Sequence, residues 1–366
     1  MFNSKLGILE MTEEYSIEVD KIAREDWAQI MLLFDDASIF QGWEYGAAKW
    51  GEDNLSHLIL RRSGEIVAAA QLWYVKFPGI GGGFAHVSMG PMWRLKGQRV
   101  NYEHIRNMVS ALSQEFSVKR RALVRIYSYE KENEEGNKIA QILESEGFKQ
   151  TDEPHDVTMR VDLSPDIDCI RSSLHKKWRR KLKKAEQNDL EIINGTDDET
   201  FNCLCDVYRE MLDRKQFTFQ LADLEQLQEA ECRSPQCCKL RVFLCKCRGE
   251  VIGGVAISML GDTAVEIFKA TSNKDNEQNL RSTFLFDWHA VKWLKEHGYK
   301  YLDLRGYDPS KYPGPSQYKA GMGGEVVTFL GIYERCDSFL TAQVMKVGKY
   351  LHSTFPNMKL VQKILN

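Results

Sequence analysis

LILRRSGEIVAAAQLW (58–73) and VFLCKCRGEVIGGVAIS (242–258) are built alike. Each is an apolar strand, a basic pair around a short turn, Gly-Glu, and then a strand of small and branched residues. Gly64-Glu65-Ile66-Val67 aligns with Gly249-Glu250-Val251-Ile252 at an offset of 185. Glycine supplies the positive φ that a tight hairpin turn needs. Gly-Glu turns are common, so the elements that follow carry the argument. After the first hairpin come the strand FAHVSMGPMW, helices over about 100–118 and 135–146 with ALVRIYSY between them, and a last strand around DVTMRVDL. After the second come TAVEIFKATS, a helix over NLRSTFLFDWHAVKWLKEHG, the strand YKYLDLRG, a short helical piece near 315–322 and the strand EVVTFLGIY. Hairpin, strand, helix, strand, helix, strand twice over predicts a duplicated α/β module with mixed sheets flanked by helices.

The totals agree. A chain of 366 residues is long for one core and comfortable for two. Its formal charge of −3 excludes a uniformly basic, nucleic-acid-coating protein, so any phosphate binding is local. No stretch approaches the roughly 20 apolar residues of a membrane span. The start, MFNSKLGILEMTEEYS, lacks an apolar signal core. Nine cysteines without such a leader imply a reducing, cytoplasmic setting. The Cys232 to Cys247 cluster lacks the paired knuckles of a zinc site, so no metal is expected. Cys245 and Cys247 read instead as small buried residues on one strand face.

The modules are expected at 1–163 and 164–335, with a C-terminal helix within 336–366 that folds back on the first. Ser164-Pro165-Asp166 marks the join: an N-cap, a proline for the first helical turn and an early acid. The helix opening there carries HKKWRRKLKKAEQNDLEI (175–192), with seven Lys or Arg between Lys176 and Lys184. Ile170, Leu174, Trp178, Leu182 and Ala185 form one apolar stripe at helical period. The cations, Lys176, Lys177, Arg179 and Arg180 among them, occupy the remaining faces with almost no acid to pair with. Such a run reads as a solvated face or as a polyanion contact.

LDLRGYDPSKYPGPSQYKAGMGGEVV (302–327) concentrates loop chemistry, with five glycines and three prolines between two apolar strands. Lys319 reads from composition as a surface lysine on a turn, although a cation beside a glycine pair can stabilise charge on a carbonyl oxygen. Asp303 and Asp308 are possible proton acceptors and equally possible turn residues.

Four segments together resemble the Fem family of peptidoglycan aminoacyltransferases (FemA, FemB and FemX). Ile39-Phe40-Gln41-Gly42-Trp43 through Lys49 is similar to its Phe-Gln-Ser-x-x-Trp-x-x-x-Lys element. Lys177-Trp178-Arg179-Arg180 through Ala185-Glu186 resembles the Lys-x-x-Arg-x-x-x-Lys-x-Ala opening of its second domain. Tyr208 to Arg214 with Phe217 resembles its Arg-x-x-Phe segment, and Asp303 through Tyr318-Lys319 to Gly324 its Asp-x-x-Gly…Phe-Lys-x-x-Phe-Gly-Gly signature. The resemblance implies two tandem acetyltransferase (GNAT-like) modules and transfer of an aminoacyl group from aminoacyl-tRNA to an amine of a peptidoglycan precursor. No further cofactor is implied. By position, Lys49 and Arg214 would hold precursor phosphates, with Trp43, Phe268 and Tyr318 lining the substrate cleft. Lys319 would stabilise the oxyanion, Asp308 would be a candidate base, and Lys176, Lys177, Arg179 and Arg180 would face tRNA. Ser88-Met89-Gly90-Pro91 stands where the family has Pro-Arg-Gly-Pro, so Met89 replaces an acceptor-site arginine, and Phe268 lacks the hydroxyl of the family's cleft aromatic.

Two other readings remain open. An acyl-CoA-dependent N-acyltransferase using acetyl-CoA would share the fold, but NKDNEQNLRSTFLF has no glycine for close approach to a pyrophosphate. A non-catalytic tandem module that binds nucleic acid would need only the basic helix.

Overall fold

The computed structural model describes residues 14–79, 81–215 and 219–354. The first half runs β1 (Tyr15–Val19), α1 (Arg24–Met31), α2 (Trp43–Trp50), β2 (Leu55–Arg62), β3 (Glu65–Phe77), β4 (Gly82–Ser88), α3 (Tyr102–Leu112), β5 (Ala122–Tyr127), α4 (Glu134–Ser145) and β6 (Lys149–Gln150). β7 (Val157–Asp162), α5 (Ile167–Ser173) and α6 (Lys176–Ala185) lead into the second. There follow β8 (Leu190–Gly195), α7 (Asp198–Lys215), α8 (Phe219–Arg233), β9 (Arg241–Cys247), β10 (Glu250–Ser258), β11 (Thr263–Thr271), α9 (Asn273–Gln278) and α10 (Ser282–Glu296). β12 (Tyr301–Asp303), α11 (Pro313–Ala320), β13 (Glu325–Thr328), β14 (Ile332–Arg335) and α12 (Phe339–Thr354) complete the order.

Two seven-stranded sheets result, ordered β1-β2-β3-β4-β5-β14-β6 and β8-β9-β10-β11-β12-β7-β13. Place for place they correspond, and in each only the fourth and fifth strands run parallel. The duplication extends to irregularities. Ser63-Gly64 and Arg248-Gly249 both have positive φ, which makes each hairpin a two-residue turn of the type whose twist suits its strands. Two residues beyond each Gly-Glu start, Val67 and Ile252 are skipped in the pairing as bulges, again 185 apart.

The sixth place in each sheet departs from the sequence reading. DVTMRVDL, expected to finish the first sheet, is β7 and lies between β12 and β13 of the second. The first sheet is filled instead by β14, from the end of the stretch read as one strand, EVVTFLGIY. Core membership explains the exchange. Met159, Val161 and Leu163 are buried with Ile170, Leu174 and Trp178 in the second core, while Leu330 and Tyr333 are buried in the first. Alternating apolar residues show that a strand has a buried face without showing which core receives it.

The helix expected to open at Ser164 is two helices, because Leu174 and His175 turn extended (ψ 138 and 143) between α5 and α6. The apolar stripe still packs, with Ile170, Leu174, Trp178, Leu182 and Ala185 buried. Cys245 and Cys247 are buried in the same core. α12 folds back on the first sheet: Met345 packs with Trp73, Phe77 and Phe84, and the Thr341 hydroxyl donates to the Arg121 carbonyl at 2.7 Å.

One first-module histidine makes stability pH-dependent. The buried His57 ring stacks on Trp43 at 3.9 Å, and its Nε2 lies 2.9 Å from Gln71 Oε1. Burial pulls its pKa from 6.5 to about 4. The folded pKa lies below the unfolded one, so this contribution is full above pH 6.5 and is lost as pH falls towards 4. The expected loss approaches about 3 kcal/mol. Urea unfolding at pH 7 and pH 4.5 checks it, and His57→Gln should reduce the difference.

Candidate active site

The second sheet opens where the first stays closed. β4 and β5 pair continuously from Gly83↔Ala122 to Ser88↔Tyr127. β11 and β12 pair only from Thr263↔Tyr301 to Val265↔Asp303, after which β11 continues to Thr271 alone on that edge. A cleft therefore begins at Glu266. Here β11 also bulges: Ala256 pairs with Phe268 but Ile257 with Glu266, leaving Ile267 extra. The bulge carries Glu266 and Lys269 to one side, which strict alternation would forbid. Their charges lie 2.8 Å apart.

Lys319, in the last turn of α11, reaches the throat of this cleft. Its Nζ donates to the Arg305 and Gly306 carbonyls, each at 2.8 Å. Burial lowers its pKa; the Glu266 carboxylate opposes that, and Lys269 and Arg305 add to it. Beneath it lies a buried network. Lys269 Nζ lies 2.6 Å from Asp287 Oδ2, and the Tyr318 hydroxyl donates to the same oxygen at 2.7 Å. Burial pushes the Glu266 carboxyl up, with Lys269 pulling against it.

Asp303 shapes the loop leaving β12. Its buried carboxylate accepts from the Tyr129 hydroxyl at 2.7 Å, the Arg305 backbone N–H at 2.7 Å and the Thr158 hydroxyl, with Arg160 Nη2 at 3.4 Å. These bonds hold Arg305 at φ 55, a strained conformation for a residue with a Cβ. Its guanidinium is thereby placed 5.2 Å from the Phe40 ring centroid.

A pocket of about 390 Å³ lies between the modules. Phe40, Tyr45 and Lys49 come from the first, and Tyr208, Asp223, Phe268 and Arg305 from the second. Burial lowers the Lys49 pKa, Asp223 opposes, and Arg305 lowers it further. Two cations facing one pocket, with a single acid among its described lining residues, leave these residues short of negative charge, which an anionic ligand supplies.

The glycines after Lys319 have steric reasons. A Cβ on Gly321 would come 2.8 Å from Trp178 Cδ1, and one on Gly324 would come 2.7 Å from the Arg160 carbonyl oxygen. Gly323 has φ 79. They let the loop press against α6 and β7, which fixes α11 and so Lys319.

The structure brings Lys49 and Phe268 together, and Lys319 and Tyr318 onto one helix at the cleft. It places other expected residues elsewhere. Arg214 donates to Asn273 Oδ1 at 2.7 Å and the Thr271 carbonyl at 3.0 Å, bracing the end of β11, and is absent from the Lys49 pocket lining. Trp43 is stacked on His57 and donates to Glu52 at 3.2 Å. Asp308 is half-buried and accepts from the Ser310 hydroxyl at 2.6 Å and from the Ser310 and Lys311 backbone N–H groups. Those bonds lower its pKa, the reverse of what a base requires, so it is a turn residue. Phe217 lies outside the described residues. Lys176, Lys177, Arg179 and Arg180 are all exposed. Among the described residues none of these four has an ion pair. Arg305 at the pocket and Glu266 at the sheet opening are absent from the residues expected there. Position in the Asp-x-Arg-Gly loop could have marked the first; nothing in the local sequence announces the bulge that presents the second.

Set against known proteins, residues 172–320 match the acetyltransferase (GNAT) domain family. The second half thus carries a GNAT-type fold, and its seven-stranded sheet plan is present twice. The whole fold is similar to the crystal structure of FemX, with TM-score 0.73 and 14% identity, covering 90% of this chain and 99% of that one. The C-terminal domain of a putative lysylphosphatidylglycerol synthetase from Agrobacterium fabrum has TM-score 0.55 and 12% identity, covering 90% and 96%. A conserved protein from Bacteroides thetaiotaomicron has TM-score 0.56 and 11% identity, covering 88% and 99%. No curated protein matches the sequence. Among the described residues no helix is long and apolar enough to cross a membrane.

Proposed function

We propose that the protein moves an aminoacyl group from aminoacyl-tRNA to an amine of a peptidoglycan precursor or a similar acceptor. The observation that carries the reading is the Lys319 ammonium at the mouth of the second-sheet cleft, beside a cation-lined pocket shared by both modules. The acceptor's anionic portion sits against Lys49 and Arg305, with Phe40 and Phe268 as apolar walls. Its amine attacks the ester carbonyl of the donor. Lys319 turns from the two loop carbonyls to the developing oxyanion, where a preplaced cation lowers the barrier most. Glu266 accepts the proton from the amine as the N–C bond forms. The C–O ester bond then breaks, and the proton passes to the departing ribose oxygen. No covalent acyl-enzyme is needed.

A tRNA donor is favoured over acyl-CoA by the α10 N-terminus. Asp275 Oδ1, on a buried side chain, accepts from the Ser282 backbone N–H at 2.9 Å, so a carboxylate occupies one of the donors a pyrophosphate would use. The uncompensated face of α6 then supplies the phosphate contacts.

The test is transfer of labelled amino acid from charged tRNA to an amine acceptor across pH. Wild-type rate should fall on the acid side as Glu266 is protonated. Glu266→Gln should lower kcat by about 10²-fold or more and abolish that acid limb. Absence of transfer from tRNA sinks the function; an unchanged acid limb in the variant removes Glu266 as the base.

A further inference from the structure

On the other side of α11 lies a second cavity, of about 280 Å³. Gly314, Gln317, Tyr318 and Gly321 face it at helical spacing, while Lys319 sits about 100° round the helix, towards the cleft. Its floor is three packed rings. Trp178 lies 5.0 Å from Phe284 and 6.0 Å from Tyr318, and Phe284 lies 5.1 Å from Tyr318, centroid to centroid. Its rim carries the cations Lys177 and Lys181 beside His175, all exposed. Lys181 Nζ stands 5.2 Å from the Phe284 centroid.

Two observations mark it as more than a dimple between helices. Trp178 Nε1 is buried and, among the described residues, has no hydrogen-bond partner, although the side chain is almost wholly enclosed. The indole edge bearing that N–H abuts Gly321, another lining residue, because a Cβ there would lie 2.8 Å from Cδ1. A donor at the wall of an aromatic, cation-rimmed hollow calls for a ligand that combines a flat ring, hydrogen-bond acceptors and negative charge.

We propose that this cavity seats the 3′-terminal nucleotide of the RNA that delivers the acyl group. The base lies against Trp178, Phe284 and Tyr318, and the phosphates lie on Lys177 and Lys181. Base on aromatic beside a basic track is how single-stranded nucleic acid is held. The strand leaves along the exposed cations of α6, and the acyl ester passes round α11 to Lys319. Tyr318 joins the two sides, since its hydroxyl is bonded to the Asp287 carboxylate that also holds Lys269. This assignment rests on the donor proposed above.

The full-length chain is titrated with three probes: an uncharged RNA hairpin ending in single-stranded CCA, the same hairpin lacking the final A, and coenzyme A. Removing the final A should weaken binding about tenfold. Lys177→Ala/Lys181→Ala, which alters only exposed side chains, should weaken the CCA hairpin by a similar factor and flatten its salt dependence. Equal binding of the two hairpins while charged tRNA still supports transfer overturns the cavity assignment and leaves the function standing. Coenzyme A displacing the CCA hairpin, with transfer from acetyl-CoA, overturns both.

Discussion

Lys319→Met lowers kcat for acyl transfer by about 10²–10³-fold and leaves KM for either substrate little changed. The side chains are similar in length, so the variant removes the ammonium and little volume. In the resting protein that ammonium bonds, among the described residues, to two carbonyls on an exposed loop, where water replaces it. The fold is therefore expected to survive, and the deficit falls on the step in which a carbonyl becomes an oxyanion. Lys319→Arg should recover part of the rate, since the charge remains but the planar fork differs from a point charge. Steady-state kinetics on the three proteins decide it. An unchanged kcat for the methionine variant makes Lys319 an ordinary surface cation.

Asp303→Leu is expected to cost about 3–5 kcal/mol of unfolding free energy, because it leaves the buried Arg160 without its counter-charge. The hydroxyls of Tyr129 and Thr158 lose their acceptor as well, and these groups join the first half, β7 and the second half at one point. The Arg305 backbone loses the bond that sustains its left-handed conformation. Activity should thus fall even where the variant remains folded. Asp303→Asn keeps an acceptor and a similar shape, so its loss should be smaller. Urea unfolding of both separates the cases: equal stability of Asp303→Leu and wild type refutes the anchoring role.

What sequence disclosed and what it withheld divide along physical lines. The hairpins were legible because Gly64 and Gly249 occupy positions that need positive φ, and the apolar stripe of α6 because helical period exposes it. The glycines after Lys319 were visible as a motif, but their reason, close packing on Trp178 and Arg160, needs coordinates. The exchange of β7 and β14 was hidden, since alternation is the same whichever core receives the strand. Glu266 and Lys269, three apart on a strand, look as though they face opposite ways until the bulge at Ile267 is seen. Arg214 and Asp308 carry the right charge for the roles expected of them, and only their hydrogen-bond partners show them braced elsewhere.

Acyl transfer from RNA at the opening of the second sheet is the step on which the proposed function stands. The most direct measurement incubates the protein with one amine acceptor and either tRNA charged with a labelled amino acid or labelled acetyl-CoA. Label is expected to move from tRNA to the amine, with none from acetyl-CoA and none left covalently on the protein. Label taken from acetyl-CoA alone, or from neither donor, contradicts it.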